Sequence, residues 1–189
     1  MMIKANENER RDYFRINDEV FIEFAAIPEE EYKTAPETLQ NLHDSSFSLS
    51  ADFATLNNNI HPVLNNIKQL HPDIGEYLDV LNSKIDSLSQ HILCKNTKYD
   101  KSKVVTANIS ASGIQFKTEQ TFKEQQAIKL ELILLPEKIG VLIFGRVIES
   151  KENCLSIEFE HLRPEDQELM IKHNLNKQMS KLREKNDNY

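Results

Sequence analysis

The regular patterning of the chain begins with alternating apolar and polar positions. Between residues 16 and 25, isoleucine, valine and phenylalanine are interleaved with charged or amide side chains. A period of two with β-branched and aromatic members is typical of a strand that buries one face. Pro28 and three successive glutamates follow, so we expect the strand to end there.

A long helical pattern occupies the middle of the chain. Apolar residues recur in steps of four and three from Leu49 to Ile74, and the rhythm resumes from Leu78 to Ile92 after a slip of one residue. This narrow stripe favours a coiled-coil seam, so we expect another helix to cover it. Two prolines interrupt the pattern and predict a kink or a break. Pro72 coincides with the slip, so we expect a new helix to begin there.

The last third of the chain returns to strand patterns. Five short segments alternate or are apolar throughout, at residues 104–109, 113–117, 127–135, 141–149 and 154–159. Their connections leave no room for crossover helices, so the strands must run antiparallel. With the first strand they make six, which is enough for a closed barrel. Pro164 and the acidic residues after it predict the start of a final helix.

The predicted fold class is therefore mainly β with α: a six-stranded antiparallel β-barrel with an inserted long helix or coiled coil and a C-terminal helix. We divide the chain into four parts. They are an arginine-bearing segment with the first strand (1–34), the inserted helical region (35–98), the rest of the barrel (99–162) and the final helix with its tail (163–189).

Composition excludes several classes of protein. The chain has 23 Lys and Arg against 30 Asp and Glu, a formal charge of −7, which argues against a protein that coats DNA by neutralising phosphates. No stretch approaches the roughly 20 apolar residues that span a bilayer, and residues 1–7 lack the apolar region of a signal peptide. Cys94 and Cys154 are isolated. We therefore expect a cytoplasmic protein without membrane insertion.

Positive charge is concentrated just before the first strand. Three of the six arginines, Arg10, Arg11 and Arg15, fall within six residues. A guanidinium pairs bidentately with phosphate oxygens or with the O6 and N7 atoms of guanine, and its plane can stack on a purine. The alternative is that these arginines are solvated charges paired with acidic residues of the same segment.

A second candidate feature is the turn between two strands at residues 108–113. Asn108 and Ser110 are two apart on an extended segment, so they point the same way and offer an amide and a hydroxyl. Gly113 is one of four glycines, which suggests either a positive φ or a close approach to something bound. The alternative is that Asn108 and Ser110 only stabilise a tight turn through local hydrogen bonds.

Taken together and in this order, the two features resemble the PilZ domain family. The resemblance rests on RxxxR at residues 11–15 and [D/N]xSxxG at residues 108–113, with the barrel pattern following. It implies a barrel that binds cyclic di-GMP. Carried over to this sequence, Arg11 and Arg15 would hold guanine edges and phosphates, Asn108 and Ser110 would bond guanine and phosphate groups, and Gly113 would shape the turn.

The resemblance also bears on stoichiometry and assembly. An arginine immediately before RxxxR, here Arg10, is associated in that family with two stacked ligand molecules, so it implies an intercalated ligand dimer. Some members with an inserted heptad helix are tetramers. We therefore expect a homo-oligomer assembled through residues 49–92, a tetramer rather than a dimer. The alternative is that the stripe packs on its own barrel or folds back as an intramolecular hairpin.

The predicted function is a cyclic di-GMP receptor that signals to an unidentified downstream protein by conformational change. The alternative is an oligomeric adaptor of pilus or flagellar systems that binds no nucleotide. No catalytic residue, metal ligand or cofactor is predicted, because the chain has no known catalytic or zinc-binding motif. The four histidines of the inserted region, at positions 43, 61, 71 and 91, lack the i, i+4 spacing of a metal site.

Overall fold

The computed structural model describes residues 14–42, 45–97, 99–100 and 103–186. Within these ranges the strands are Ile16–Ala26 (β1), Val104–Ser110 (β2), Gly113–Lys117 (β3), Ala127–Leu134 (β4), Ile139–Lys151 (β5) and Cys154–His161 (β6). The helices are Glu29–Lys33 (α1), Ala35–Gln40 (α2), Ser46–Leu70 (α3), Pro72–Asn96 (α4) and Pro164–Asn186 (α5). None of these helices has a stretch long and apolar enough to cross a membrane.

The six strands form a closed antiparallel barrel in the order β1-β2-β3-β6-β5-β4, which confirms the predicted fold class. β1 closes the barrel by pairing with β2 on one side and β4 on the other, although the whole helical region separates it from both in sequence. Alternate residues of each strand point inward and build one apolar core. Its fully buried members include Val20, Ile109, Ile114, Leu130, Ile143 and Leu155.

Two helical elements cover part of the outer face of the barrel. α1 and α2 place Tyr32 and Leu39 against Leu142 and Phe144 of β5. At the base of the α3–α4 pair, where α3 starts and α4 ends, Phe47 and Leu93 pack against outward-facing side chains of β1 and β4. The start of β1, together with β2, β3 and β6, instead carries polar residues on its outer face. The predicted ligand-binding residues belong to this polar region.

α3 and α4 fold against each other as an antiparallel hairpin. Asn57 Nδ2 donates to Asp86 Oδ1 at 2.8 Å, and Lys68 Nζ pairs with the Asp79 carboxylate at 2.7 Å. The break falls at His71, as the phase slip predicts, whereas Pro62 stays inside α3. The intramolecular hairpin that the sequence left open as an alternative is therefore present.

The hairpin does not bury the apolar stripe that predicted it. None of its thirteen positions is fully buried. Eight of them are exposed, namely Leu56, Ile60, Val63, Leu70, Ile74, Ile85, Leu88 and Ile92. Polar pairs thus cross between α3 and α4 while much of the stripe faces outward.

α5 is held against the start of β1 by a buried ionic cluster. His173 Nε2 lies 2.7 Å from Asp18 Oδ2, and Lys177 Nζ donates to Asp18 Oδ1 at 2.8 Å. Burial lowers the pKa of His173, but hydrogen bonds to Asp18 and Glu137 outweigh it and raise that pKa above its usual value. Burial raises the pKa of Asp18, but its bonds to His173 and Lys177 outweigh that effect and lower it.

We predict that His173→Gln destabilises the fold in a pH-dependent way. Because the pKa of His173 is raised above 6.5 on folding, the charged imidazole stabilises fully below that value, and this contribution is lost as pH rises through the folded pKa. The expected cost is about 1.5–3 kcal/mol at about pH 5.5 and less at about pH 9. Urea unfolding measures it, with exposed His91→Gln as the control. An equal cost at both pH values would contradict the prediction.

Candidate functional site

Arg15, the last residue of RxxxR, contacts the second motif at one end of the outer barrel face. Arg15 lies immediately before β1, and β1 pairs with β2 so that Asn17 is opposite Asn108. Arg15 Nη1 donates to Asn108 Oδ1 at 3.4 Å, across 93 positions of sequence. The register of β1 on β2 therefore brings an arginine of RxxxR onto the asparagine of the second motif.

Asn108 is held from two sides. It is half-buried, its Nδ2 donates to Asn17 Oδ1 at 2.7 Å, and its Oδ1 accepts from Arg15. These bonds run across strands, so the local-turn alternative does not describe Asn108. The guanidinium and the carboxamide lie side by side and together offer several donors and one acceptor, a set suited to phosphate oxygens and base edges.

Gly113 provides room for Arg15. A Cβ at this position would lie 2.8 Å from the Ile157 carbonyl oxygen and 3.1 Å from Arg15 Nη2. None of the glycines that the structure describes has a positive φ, so of the two sequence expectations the positive φ is wrong. The close approach that the glycine permits is to Arg15 and to the neighbouring strand β6.

The Ser110 side chain forms hydrogen bonds within the turn itself. It is 0% exposed, its Oγ donates to the Gly113 carbonyl at 3.3 Å, and it accepts from Ser112 N at 3.3 Å. The hydroxyl that the sequence places beside the Asn108 amide is thus engaged locally, as the turn alternative predicts. Arg10 and Arg11 lie outside the described residues, so their part in the site stays a prediction.

Two other arginines join elements of the fold: Arg146 ties α1 to β5, and Arg163 ties α3 to the start of α5. Arg146 pairs with the Glu29 carboxylate through both terminal nitrogens, at 2.7 and 2.9 Å, and its guanidinium lies 4.3 Å from the centre of the Tyr32 ring. Arg163 bonds Asp52 and Asp166 at 2.8–3.0 Å. Both contacts are structural, since each guanidinium is matched with carboxylates of the same chain.

Sequence reasoning missed three polar residues of the same face. Asn17 bonds Asn108 directly, and Gln115 Nε2 donates to Ser156 Oγ at 3.1 Å. The available signal was their period-two placement on the outward positions of predicted strands.

Among the residues the structure describes, no three His, Cys, Asp or Glu side chains form a potential metal site.

Comparison of the sequence with known protein families identifies one match. The PilZ domain model matches residues 87–175. The chain contains a PilZ domain. The matched span runs from within α4 through β2–β6 into α5. It leaves out β1 and the RxxxR segment, which the helical hairpin separates from the other strands of the PilZ barrel.

One solved structure supports the same fold. A PilZ domain from Xanthomonas campestris, described as tetrameric and self-assembled through an unusual helical bundle, is 12% identical, with a TM-score of 0.54 over 90% of this chain and 91% of that one. An inhibitor of motility from Bacillus subtilis is 19% identical over 41% of this chain and 43% of that one, with a TM-score of 0.36. No curated protein matches the chain. PilZ domains are binding or adaptor domains, not enzymes.

We predict that Gly113→Ala destabilises the barrel by about 1–3 kcal/mol, because the added methyl overlaps the Ile157 carbonyl and that backbone cannot give way freely. The same methyl pushes the Arg15 guanidinium away from Asn108. Urea unfolding measures the stability, with Thr106→Ala, on the exposed face of β2, as the control. Unchanged stability of Gly113→Ala would contradict the steric role.

Proposed function

We propose that this chain is a cytoplasmic receptor for cyclic di-GMP, binding it between segment 10–15 and turn 108–113. The observation that carries the proposal is the contact of Arg15 with Asn108, which joins the two motifs on one face. The ligand identity follows from the resemblance to PilZ receptors. The geometry supports it because a guanidinium and a carboxamide lie together beside a glycine whose missing side chain lets Arg15 approach the sheet.

Charge supports the same proposal. A dinucleotide with two phosphates needs concentrated positive charge, and a chain of net charge −7 must supply it locally. Arg10, Arg11 and Arg15 are half of the arginines in the chain. Arg146 and Arg163 are matched with carboxylates elsewhere. Arg10 precedes RxxxR, so we propose that two stacked ligand molecules bind.

Binding would act as a population shift. Charge-assisted bonds made only when segment 10–15 closes over the ligand favour the closed state. The site is connected to α5, because Asn17 contacts the site residue Asn108 while the next residue, Asp18, holds His173 and Lys177. We propose that the surface changed by binding, including α5, is the one presented to the downstream protein.

We further propose that the hairpin assembles the chain into a homo-oligomer, a tetramer by analogy with the Xanthomonas campestris protein. The support is the run of exposed apolar side chains along α3 and α4, from Leu56 to Ile92. Monomeric proteins rarely leave a contiguous patch of this kind in water. A second copy with the same stripe supplies a matching helical face.

An adaptor that binds no nucleotide is the second candidate function. The observation that favours it is the local engagement of Ser110, whose hydroxyl is buried in the turn. Such an adaptor would use the hairpin for assembly and the barrel as a scaffold for pilus or flagellar partners. Titration with cyclic di-GMP separates the two functions, since only a receptor binds the dinucleotide.

We predict that Arg15→Ala and Arg11→Ala each weaken cyclic di-GMP binding by about 1.5–3 kcal/mol, the range for losing charge-assisted hydrogen bonds. This corresponds to about a 10- to 150-fold higher Kd. Calorimetric titration measures the affinity and the stoichiometry. Arg183→Ala, on exposed α5, is the matched control. Wild-type protein that does not bind cyclic di-GMP would overturn the receptor function and leave the adaptor.

We predict that Ile60→Asp dissociates the oligomer, because it buries a charge in the apolar interface. Light scattering should give a multiple of the 21.9 kDa chain mass for the wild type and the single chain mass for the variant. Asn59→Asp, an exposed neighbour on α3, adds the same charge beside the stripe and should leave the assembly intact. A monomeric wild type at micromolar concentration would contradict the proposed assembly.

A further inference from the structure

A row of four polar side chains crosses the outer face of the barrel next to the proposed site. β-sheet pairing places Asn17 opposite Asn108, Asn108 opposite Gln115, and Gln115 opposite Ser156. Residues opposite each other on neighbouring strands share a face of the sheet. The row therefore runs straight across β1, β2, β3 and β6, over about 14 Å for three inter-strand spacings.

The hydrogen bonds divide the row into two pairs. Asn108 bonds Asn17 at 2.7 Å, and Gln115 bonds Ser156 at 3.1 Å. A carboxamide has two N–H donors and an oxygen that accepts two bonds, and the Gln115–Ser156 contact uses one donor. All four side chains are at least partly accessible, so the row keeps hydrogen-bonding capacity on the open face.

The charge along the row changes from one end to the other. The cationic end is Arg15, which bonds Asn108. Towards β6 the row's own side chains, Gln115 and Ser156, are neutral, although the exposed Glu158 lies two residues along β6, opposite Gly113. Beyond Ser156 the next strand places Glu149 opposite it, paired with Lys151 at 2.9 Å. Phosphates are therefore favoured at the arginine end, whereas neutral amides suit the donor and acceptor edge of a nucleobase.

We propose that Gln115, assisted by Ser156, is a further ligand-binding residue that receives a base of the dinucleotide, while Arg15 holds a phosphate. This inference rests on the proposed receptor function and extends its site from β2 across β3 to β6. Neither motif of the sequence includes Gln115 or Ser156. Gln115 bonds the base edge directly, and Ser156 orients the Gln115 carboxamide.

The test is calorimetric titration of the full chain with cyclic di-GMP at low and high salt. Gln115→Ala should raise Kd by about 3- to 10-fold, the range for a neutral hydrogen bond, equally at both salt concentrations. Arg15→Ala should instead lose much of its effect in high salt, because screening weakens the phosphate contact. Gln115→Glu, close in shape but anionic, should weaken binding more than Gln115→Ala does.

Thr106 provides the matched controls, since it lies on the same face one row away, opposite Glu19. Thr106→Ala and Thr106→Glu should bind as the wild type does or only slightly more weakly. If the wild type binds and the Gln115 variants match the Thr106 variants, the base-binding role is overturned while the receptor function stands. If the wild type does not bind cyclic di-GMP, both the base-binding role of Gln115 and the receptor function are overturned. Thermal unfolding of each variant separates loss of the fold from loss of contact.

Discussion

The pairing of β1 with both β2 and β4 is the constraint on which the structure depends. β1 precedes the helical region and must return to strands that follow it, and the barrel closes only when it does. The same pairing sets Asn17 opposite Asn108, so the residue before β1 reaches the β2–β3 turn. One register of β1 therefore both closes the barrel and assembles the candidate site, and a one-residue slip of β1 would turn its outer face inward.

Packed helices and two arginine–carboxylate contacts stabilise the rest of the fold. α1 and α2 bury the outer apolar residues of β5, and the hairpin base buries those of β1 and β4. Arg146 and Arg163 match carboxylates and fasten these elements. What stays open is the polar face of β1, β2, β3 and β6, and Arg15 lies at its edge. This separation lets the PilZ domain keep a hydrogen-bonding surface without exposing its core.

The inserted hairpin differs from the barrel, because it leaves most of its apolar stripe exposed. Polar contacts such as Lys68 with Asp79 cross between its helices, and Gly75 lets the helices approach closely beside Lys68, while its apolar stripe remains largely outside. A globular hairpin would turn that stripe inward to bury it. A hairpin that leaves the stripe in water presents the apolar face on which the proposed homo-oligomer depends.

Periodicity in the sequence was enough for the six strands, the break at Pro72, the final helix and the barrel, because each depends on local spacing and on connections too short for any other topology. The two motifs also pointed to Arg15, Asn108 and Gly113. Tertiary structure alone decided that Ser110 is closed into its turn, that Gly113 yields space to Arg15 without a positive φ, and that His173 is buried against Asp18. The contacts of Gly113 with Arg15 and of His173 with Asp18 join residues distant in sequence, and tertiary packing, which no local pattern specifies, determines which of these side chains meet.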